Sequence, residues 1–581
     1  MKTGAQLVVE ALEREGVRFT FGIPGTHNTE LYDALAHSTI LPVLVTDEQS
    51  AGFMADAVSR TTDSIGVCNL VPGAGMTHAL SGIAEAYMDS VPMVVLLCGI
   101  RTDTGLKYQL HDVDQLAIIA PVCKATYHIN SHDEIPTIFA EAFALAKTGE
   151  PGPVAIEVPA NLYLFKGECR GEQPFAHMEE PPIPDIEDAV ALLAQSQRPI
   201  LYAGWGARHA AVGAVPPSGT SREPPLLIQL AEALQSPVVT TLSGLGVFPS
   251  SHPLHLWHTL GRAAPGFVNK VYEESDCMLA VACKFGEVAT ASFGFKPPEN
   301  LIHVDINEKV LNANHPAKIA LKGDARSILK KILGRKGEFT KGIDAELPVR
   351  IQKGKEDFRN GYRKEQNDKV TPIVFFETLR ALLPDDSIVV CDSGNHTFMT
   401  AELMPFEKPS TFLAPIDYSC MGYGVPATIG AKLANPNRKV VGVIGDGAFL
   451  MTGLELLTAA QQRIGAIVCV FSDHELGLIA QFQEVPLNLK TATRLQPYKL
   501  RGIAEAVGAT YLHIDNNHQA APVLRHALEE SEQHMPVLVD VNIDYSLKTQ
   551  FAKGVIKTNL NRFPLKDRIR FIARAVGRRI F

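Results

Sequence analysis

The sequence predicts an α/β protein of three doubly wound parallel-sheet units followed by a C-terminal amphipathic helix, and three observations support this. Short β-branched apolar runs alternate with helical periods along most of the chain, the rhythm of strands buried on both faces by crossover helices. The rhythm restarts twice, after stretches rich in Pro, Gly or charge at 179–184 and 334–368. A length of 581 residues, at roughly 100 to 200 per domain, calls for three or four domains.

The first unit, 1–165, has expected strands at 19–22, 41–46, 65–69, 91–98 and 154–158. The central unit, 185–335, has them at 200–203, 238–241, 278–282 and 301–304, with an internal loop at 213–225. Thr371-Pro372 starts a helix that opens the third unit, 370–545, because Pro fits a first helical turn. Its strands are expected at 388–391, 440–444, 466–471, 510–513 and 537–541. Residues 546–581 carry ten Lys or Arg and one Asp, net +9, so the rest of the chain sums to -18 against a total of -9. In this tail Leu565, Ile569, Ile572, Val576 and Ile580 recur at helical spacing with arginines on the other flanks, a basic amphipathic helix. Two roles are expected of it: packing on the acidic body or closing over a site as a lid, or reversible peripheral contact with an anionic membrane.

Composition excludes several classes. With 46% hydrophobic and 20% charged residues the chain is globular rather than disordered, and its acidic balance gives no reason to expect nucleic acid. The nine cysteines are scattered, without a CxxC pair or a zinc-like His spacing. Met1 to Gly4 run straight into an amphipathic pattern, so no signal peptide is expected, and no apolar run approaches the ~20 residues of a membrane span. A cytoplasmic protein is expected.

The strongest motif is Gly445-Asp446-Gly447-Ala448-Phe449, after a buried strand and at the start of a helix expected to run to about Arg463. Glycines there let the backbone approach a phosphate, a helix N-terminus offers free N–H groups, and Asp446 can bind a hard cation. One helix and one strand later comes Ser472-Asp473-His474-Glu475-Leu476-Gly477. Two adjacent parallel strands leave these segments at the same sheet edge, so Asp446 and Asp473 can share a metal. The bland alternative, a turn residue and a helix cap, explains each aspartate but not the pair. In the central unit Gly204-Trp205-Gly206-Ala207-Arg208-His209 begins like a dinucleotide fingerprint but has His209 where the third Gly belongs, a weak signal.

These residues resemble the thiamine diphosphate (ThDP) enzymes of the acetolactate synthase type, from about residue 3 to 545. The family motif has Asn where this chain has Asp473, still a hard oxygen ligand. The resemblance implies Mg²⁺ held by Asp446, Asp473 and the carbonyl of Glu475. A second match is Thr46-Asp47-Glu48-Gln49-Ser50-Ala51-Gly52-Phe53-Met54-Ala55-Asp56-Ala57, which implies that Glu48 hydrogen-bonds N1′ of the aminopyrimidine and so activates the cofactor. Pro72 to His78 resembles the family's glycine-rich loop, Asp392-Ser393-Gly394-Asn395-His396 its diphosphate contact, and Met421 the residue that props the cofactor into a bent form. The implied cofactor set is Pro24, Glu48 and Gly73 in the first unit. In the third it is Ser393, Gly394, Asn395, His396, Met421, Gly445, Asp446, Gly447, Ala448, Asp473, Glu475, Leu476, Gly477 and Leu478.

On the substrate side, His27 in Phe21-Gly22-Ile23-Pro24-Gly25-Thr26-His27-Asn28 and Gln109 in Tyr108-Gln109-Leu110-His111 resemble residues of benzaldehyde lyase and cyclohexanedione hydrolase types. His27 could shuttle a proton and Gln109 hold a carbonyl; a solvated turn residue is the plain reading of His27. Leu478 and Phe482 stand in place of the Met and Trp of biosynthetic acetolactate synthases. Lys284-Phe285-Gly286-Glu287-Val288 replaces the flavin-associated block, leaving FAD only as an alternative. The implied activity is acetolactate synthase-like decarboxylation and carboligation of a 2-oxo acid. A benzaldehyde lyase-like carboligase/lyase, a 2-oxo acid decarboxylase and a flavin-linked 2-oxo acid oxidase are the alternatives. The implied substrates are 2-oxo acids, acyloins or aldehydes, and the implied assembly is a homodimer or homotetramer.

Overall fold

The computed structural model describes residues 1–171, 182–210, 224–363 and 368–580. Most of the loop expected at 213–225 and part of both inter-unit stretches lie outside the described residues. Three six-stranded parallel sheets follow one another along the chain. The first contains Phe19–Gly22 (β1), Leu41–Leu44 (β2), Gly66–Leu70 (β3), Met93–Gly99 (β4), Ala125–His128 (β5) and Pro153–Pro159 (β6), in the order β2-β1-β3-β4-β6-β5. The second contains Pro199–Ala203 (β7), Val238–Thr240 (β8), His255–Trp257 (β9), Cys277–Val281 (β10), Asn300–Asp305 (β11) and Ile319–Lys322 (β12), in the order β9-β8-β7-β10-β11-β12. The third contains Ile388–Cys391 (β13), Phe412–Leu413 (β14), Val440–Gly445 (β15), Ile467–Phe471 (β16), Thr510–Ile514 (β17) and Val537–Val541 (β18), in the order β14-β13-β15-β16-β18-β17. The first and third sheets thus share one strand order, and the middle sheet has another.

Central strands such as β4 and β16 are apolar throughout and buried along their whole length, as helices on both faces require. Lys166–Gly167 pairs antiparallel with Lys2–Thr3 and ties the end of the first unit to its beginning.

The first and third units pack through helices Glu48–Thr61 (α1), Ala74–Met88 (α2) and, from the third unit, Gly424–Ala434 (α4, after α3 at Asn395–Leu403). Small residues allow the approach: within the first unit a Cβ on Gly52 would meet Gly82 at 2.9 Å, and across the units one on Gly430 would meet the Met54 backbone at 2.7 Å. Buried charge crosses the same contact. Arg60 bonds Asp56 at 2.7 Å and Asp89 at 2.9 Å, and Tyr423 of the third unit donates to Asp56 at 2.7 Å.

The helix expected after Gly445 is broken: Asp446–Thr452 (α5) and Leu456–Gln461 are separated by a 3-10 turn at Gly453–Glu455. These pieces and β2 meet where Thr458 Oγ1 donates to the Leu44 carbonyl, 3.0 Å. Around the junction Leu41, Leu44, Leu450, Met451, Leu454 and Leu457 remain 39–61% exposed, an apolar face unusual for a lone chain.

The tail forms two helices. Gln550–Arg562 (α7) docks on the middle unit, its Gly554 pressed against Ala263, and stacks Phe551 on Phe398 at 4.0 Å. Leu565–Ile580 (α8) lies against Gly477–Leu487 (α6). It docks through arginines: Arg578 donates to the Leu487 carbonyl and Arg579 to those of Glu484 and Val485. The expected apolar stripe does not make this contact, since Leu565, Ile569, Ile572 and Val576 are 45–68% exposed; the Ile580 side chain lies outside the described residues. Among the described residues no helix is long and apolar enough to cross a membrane.

Candidate active site

β13, β15 and β16 are neighbours running in parallel, so their carboxyl ends share one edge, and each is followed by a helix start: Asn395 of α3, Asp446 of α5 and Gly477 of α6. Between them lies a cavity of about 90 Å³ walled by Ser393, Gly394, Asn395, His396, Met421, Gly445, Asp446, Gly447, Ala448, Asp473, Glu475, Leu476, Gly477, Leu478, Ile479 and Tyr545. The structure therefore gathers all fourteen residues named for the third unit, and adds Ile479 and Tyr545.

The glycines keep the space open. A Cβ on Gly447 would meet Leu476 at 2.4 Å, one on Gly477 would meet Asp473 Oδ2 at 2.7 Å, and one on Gly394 would meet the His396 ring at 2.6 Å. Asn395 and His396 are 4% and 2% exposed, yet among the described residues both amide atoms of Asn395 and Nε2 of His396 have no hydrogen-bond partner. Native structures rarely leave buried polar groups so. These atoms suit a ligand with many oxygens.

Asp446 Oδ2 accepts from the Asp473 and His474 backbone N–H groups, at 3.2 and 2.7 Å, and from the Tyr498 hydroxyl. Burial and the charge of Asp446 push the Asp473 carboxyl up to about 7. Among the described residues neither aspartate has an ion-pair partner. Two crowded carboxylates without a cation fit a divalent metal. The described cluster of three ligating side chains lies elsewhere, at Asp47, Glu48 and His78, where Asp47 is already spent capping α1 through Gln49 N–H, 2.8 Å.

The first-unit candidates do not line this cavity. Glu48 begins α1 with its side chain 11% exposed, and His78 Nδ1 lies 3.3 Å from its Oε2. Gly73 has φ +60° at the start of α2, and a Cβ there would meet the His111 carbonyl at 2.9 Å. Gln115 accepts from Gly73 N–H at 3.2 Å and so anchors the loop that carries Gln109 and His111. The His27 and His111 rings meet edge to face at 5.5 Å; burial and the neighbouring His111 hold His27 below the usual histidine range. Gln109 donates to the Arg101 and Leu106 carbonyls of its own loop, and Pro24 is exposed.

Three acids take supporting roles that the sequence motifs did not assign. Asp392 accepts from the N–H groups of Ser393, Gly422 and Gly424 at 2.7, 3.0 and 2.6 Å. Glu85 accepts from Cys420 N–H at 3.0 Å. The loop bearing Met421 is thus braced from both units, and burial pushes Asp392 up to about 7 and Glu85 to about 10. Glu455 accepts from Thr46 N–H and Oγ1, fixing the turn just before Glu48. Asp392 opens the matched 392–396 motif and Glu85 lies in the family-like stretch 84–92, but neither carried a role of its own; Glu455 shows in the sequence only as an acid inside an apolar stretch.

In the middle unit a crevice of about 100 Å³ opens at the carboxyl ends of β7, β8, β10 and β11, bounded by Gly204, Trp205, Arg208, Lys284 and Asp305. This is the switch point where a dinucleotide would lie. Lys284 there is held by Glu150 at 2.8 Å and the Met88 carbonyl at 2.9 Å.

Three family models match the chain: the thiamine pyrophosphate enzyme N-terminal TPP binding domain over residues 2–118, the central domain over 186–332 and the C-terminal TPP binding domain over 392–541. The chain is 31% identical to a probable acetolactate synthase large subunit of Methanocaldococcus jannaschii, covering 93% of this chain and 92% of the relative. It is 32% identical to the acetolactate synthase large subunit of Corynebacterium glutamicum, over 93% and 86%. With acetolactate synthase isozyme 3 large subunit of Escherichia coli it shares 31% identity over 94% and 96%. The glycine-walled cavity with its carboxylate pair lies inside the C-terminal TPP binding match, Glu48 lies inside the N-terminal one, and the chain belongs to the thiamine pyrophosphate enzyme family.

Proposed function

We propose that the chain is a Mg²⁺- and ThDP-dependent enzyme of the acetolactate synthase type, which decarboxylates a 2-oxo acid and joins the remaining acyl unit to a second carbonyl. The observation that carries this reading is the third-unit cavity, where unpartnered Asn395 and His396 atoms face a carboxylate pair across glycine walls. Bound ThDP supplies a thiazolium able to accept the electrons of the bond to a departing carboxylate. Asn395, His396 and the helix-start N–H groups would hold its diphosphate, and Asp446, Asp473 and the Glu475 carbonyl the Mg²⁺. Met421, braced by Asp392 and Glu85, would support the bent cofactor. Glu48 would hold the proton at the pyrimidine N1′. His27, whose protonated form burial and the neighbouring His111 disfavour, would shuttle a proton, with Gln109 orienting a carbonyl.

Glu48 is absent from the cavity walls and an apolar face stays exposed beside β2. These two facts support a homodimer at least, or a homotetramer, in which one chain's first unit completes the partner's site. The nine free cysteines suit a cytoplasmic protein. A benzaldehyde lyase-like carboligase/lyase is the second reading, favoured by the His27–His111 contact; a plain 2-oxo acid decarboxylase is the third. Incubation with pyruvate, other 2-oxo acids, acyloins and aldehydes, each with ThDP and Mg²⁺, followed by mass spectrometry, tests the reading. Acetolactate from pyruvate is expected; acyloin cleavage without acetolactate would replace the first reading by the second.

A further inference from the structure

An amphipathic helix on a globular protein ordinarily turns its apolar stripe inward, and α8 does not. At 100° per residue Leu565, Ile569, Ile572 and Val576 fall within an arc of about 60°, and all four are 45–68% exposed. The side that meets the body lies roughly a quarter-turn away, where Arg568, Phe571 and Ala575 are half-buried and Arg578 and Arg579 reach the last carbonyls of α6. On the opposite margin of the stripe Lys566 and Arg570 are exposed. Around its axis the helix therefore presents a docked side, an apolar side and a basic side, in that order.

The charge is as unspent as the stripe. None of the six cations of α8 forms an ion pair among the described residues, although the rest of the chain is acidic. Arg568 donates to the Asn561 and Phe563 carbonyls, and Arg574 lies over the Phe571 ring at 5.0 Å. Glu484 of α6 gives Arg579 its carbonyl, while its carboxylate lies 3.9 Å from Lys548. Lys566 and Arg570 have no partner among the described residues. The body is thus not the complement of this helix.

A second copy of the chain fits the stripe poorly. A strip one side chain wide falls short of the ~800 Å² per partner of a stable protein contact, and its cationic margin repels its own equivalent. A bilayer asks for no matching shape: a helix of this kind sinks its apolar side among acyl chains while the flanking cations meet anionic headgroups. With 16 residues, six of them cationic, α8 can lie on a membrane but not cross it.

We propose that α8 docks the chain reversibly on an anionic lipid surface, with Leu565, Ile569, Ile572 and Val576 among the acyl chains and Lys566 and Arg570 at headgroup level. The proposal is independent of the activity proposed above, because none of these six residues lines the Asp446 cavity.

The test is co-sedimentation of the full chain, loaded with ThDP and Mg²⁺, with vesicles of equal parts phosphatidylglycerol and phosphatidylcholine, beside vesicles of phosphatidylcholine alone. Binding is expected on the anionic vesicles only, and at least about tenfold weaker when salt rises from about 0.1 to about 0.5 M. The pair Ile569→Ser and Ile572→Ser should weaken it at least about tenfold by removing buried apolar area. Lys566→Glu with Arg570→Glu should do the same, since each cation near such a surface is worth about fivefold in affinity. Both pairs should keep the parent's ThDP affinity, which shows that the chain is folded. Tryptophan emission of Ile572→Trp should shift to the blue on anionic vesicles, as insertion requires and contact through charge alone does not. A parent chain that does not distinguish the two vesicles, or a serine pair that binds like the parent, overturns the proposal. So does a serine pair of lower oligomer mass in sedimentation equilibrium, which would assign the stripe to a second copy.

Discussion

Glu48 is the residue on which turnover should depend most without binding the metal. Glu48→Gln is expected to keep ThDP bound while slowing turnover by at least about a hundredfold, the scale of lost acid–base catalysis; cofactor titration beside steady-state rates checks both halves. Asp446→Ala and Asp473→Ala should each weaken Mg²⁺-dependent ThDP binding. Asp473→Asn should be tolerated, because an amide oxygen still coordinates, and an Asn variant as impaired as Ala would remove Asp473 from the metal. His27→Ala and Gln109→Ala should alter the product ratio at unchanged ThDP affinity, which chromatography of mixed-aldehyde reactions would reveal. The Asp446 and Asp473 motifs were legible because few other roles need an acid flanked by glycines at a strand end. Asp392, Glu85 and Glu455 were not, since their importance lies in backbone N–H groups that folding brings to them from distant segments.

The strands show the same divide. Each central strand was visible as a buried apolar run, whereas the four strands of the six-stranded sheets that escaped, β5, β9, β12 and β14, all lie at sheet edges. Edge strands are shorter and less apolar; β5 reads Ala-Thr-Tyr-His and is only half-buried. The break in the helix after Asp446 was hidden because Gly453 is tolerable in a helical pattern and signals a turn only weakly. At the other end of the chain, α8 caps the last carbonyls of α6, whose first residues line the cavity. Deleting residues 565–581 is expected to lower turnover and speed ThDP release, measured by dialysis of the holoenzyme. Unchanged values would place α8 outside the site, and vesicle sedimentation lost on the same deletion would assign its exposed stripe to anionic lipid.

Across the whole molecule, first and third units are locked by charges that water cannot reach. Arg60→Met leaves Asp56 and Asp89 buried without their cation and is expected to cost about 3–5 kcal/mol, seen as a lower denaturant midpoint. Because Asp89 also holds the N–H groups of Ile416 and Asp417, weaker cofactor retention should accompany the loss. The apolar face around Leu44 and Leu454 has a further consequence, in the assay tube rather than in the fold. If a second chain covers that face and completes the site, specific activity is a property of concentration: rate plotted against enzyme should bend upward at high dilution, and recovery on reconcentration should show a lag that shortens in inverse proportion to subunit concentration. Freshly made chains would carry the same sticky surface until they meet, so slow, cool expression should yield more active enzyme than fast, warm expression.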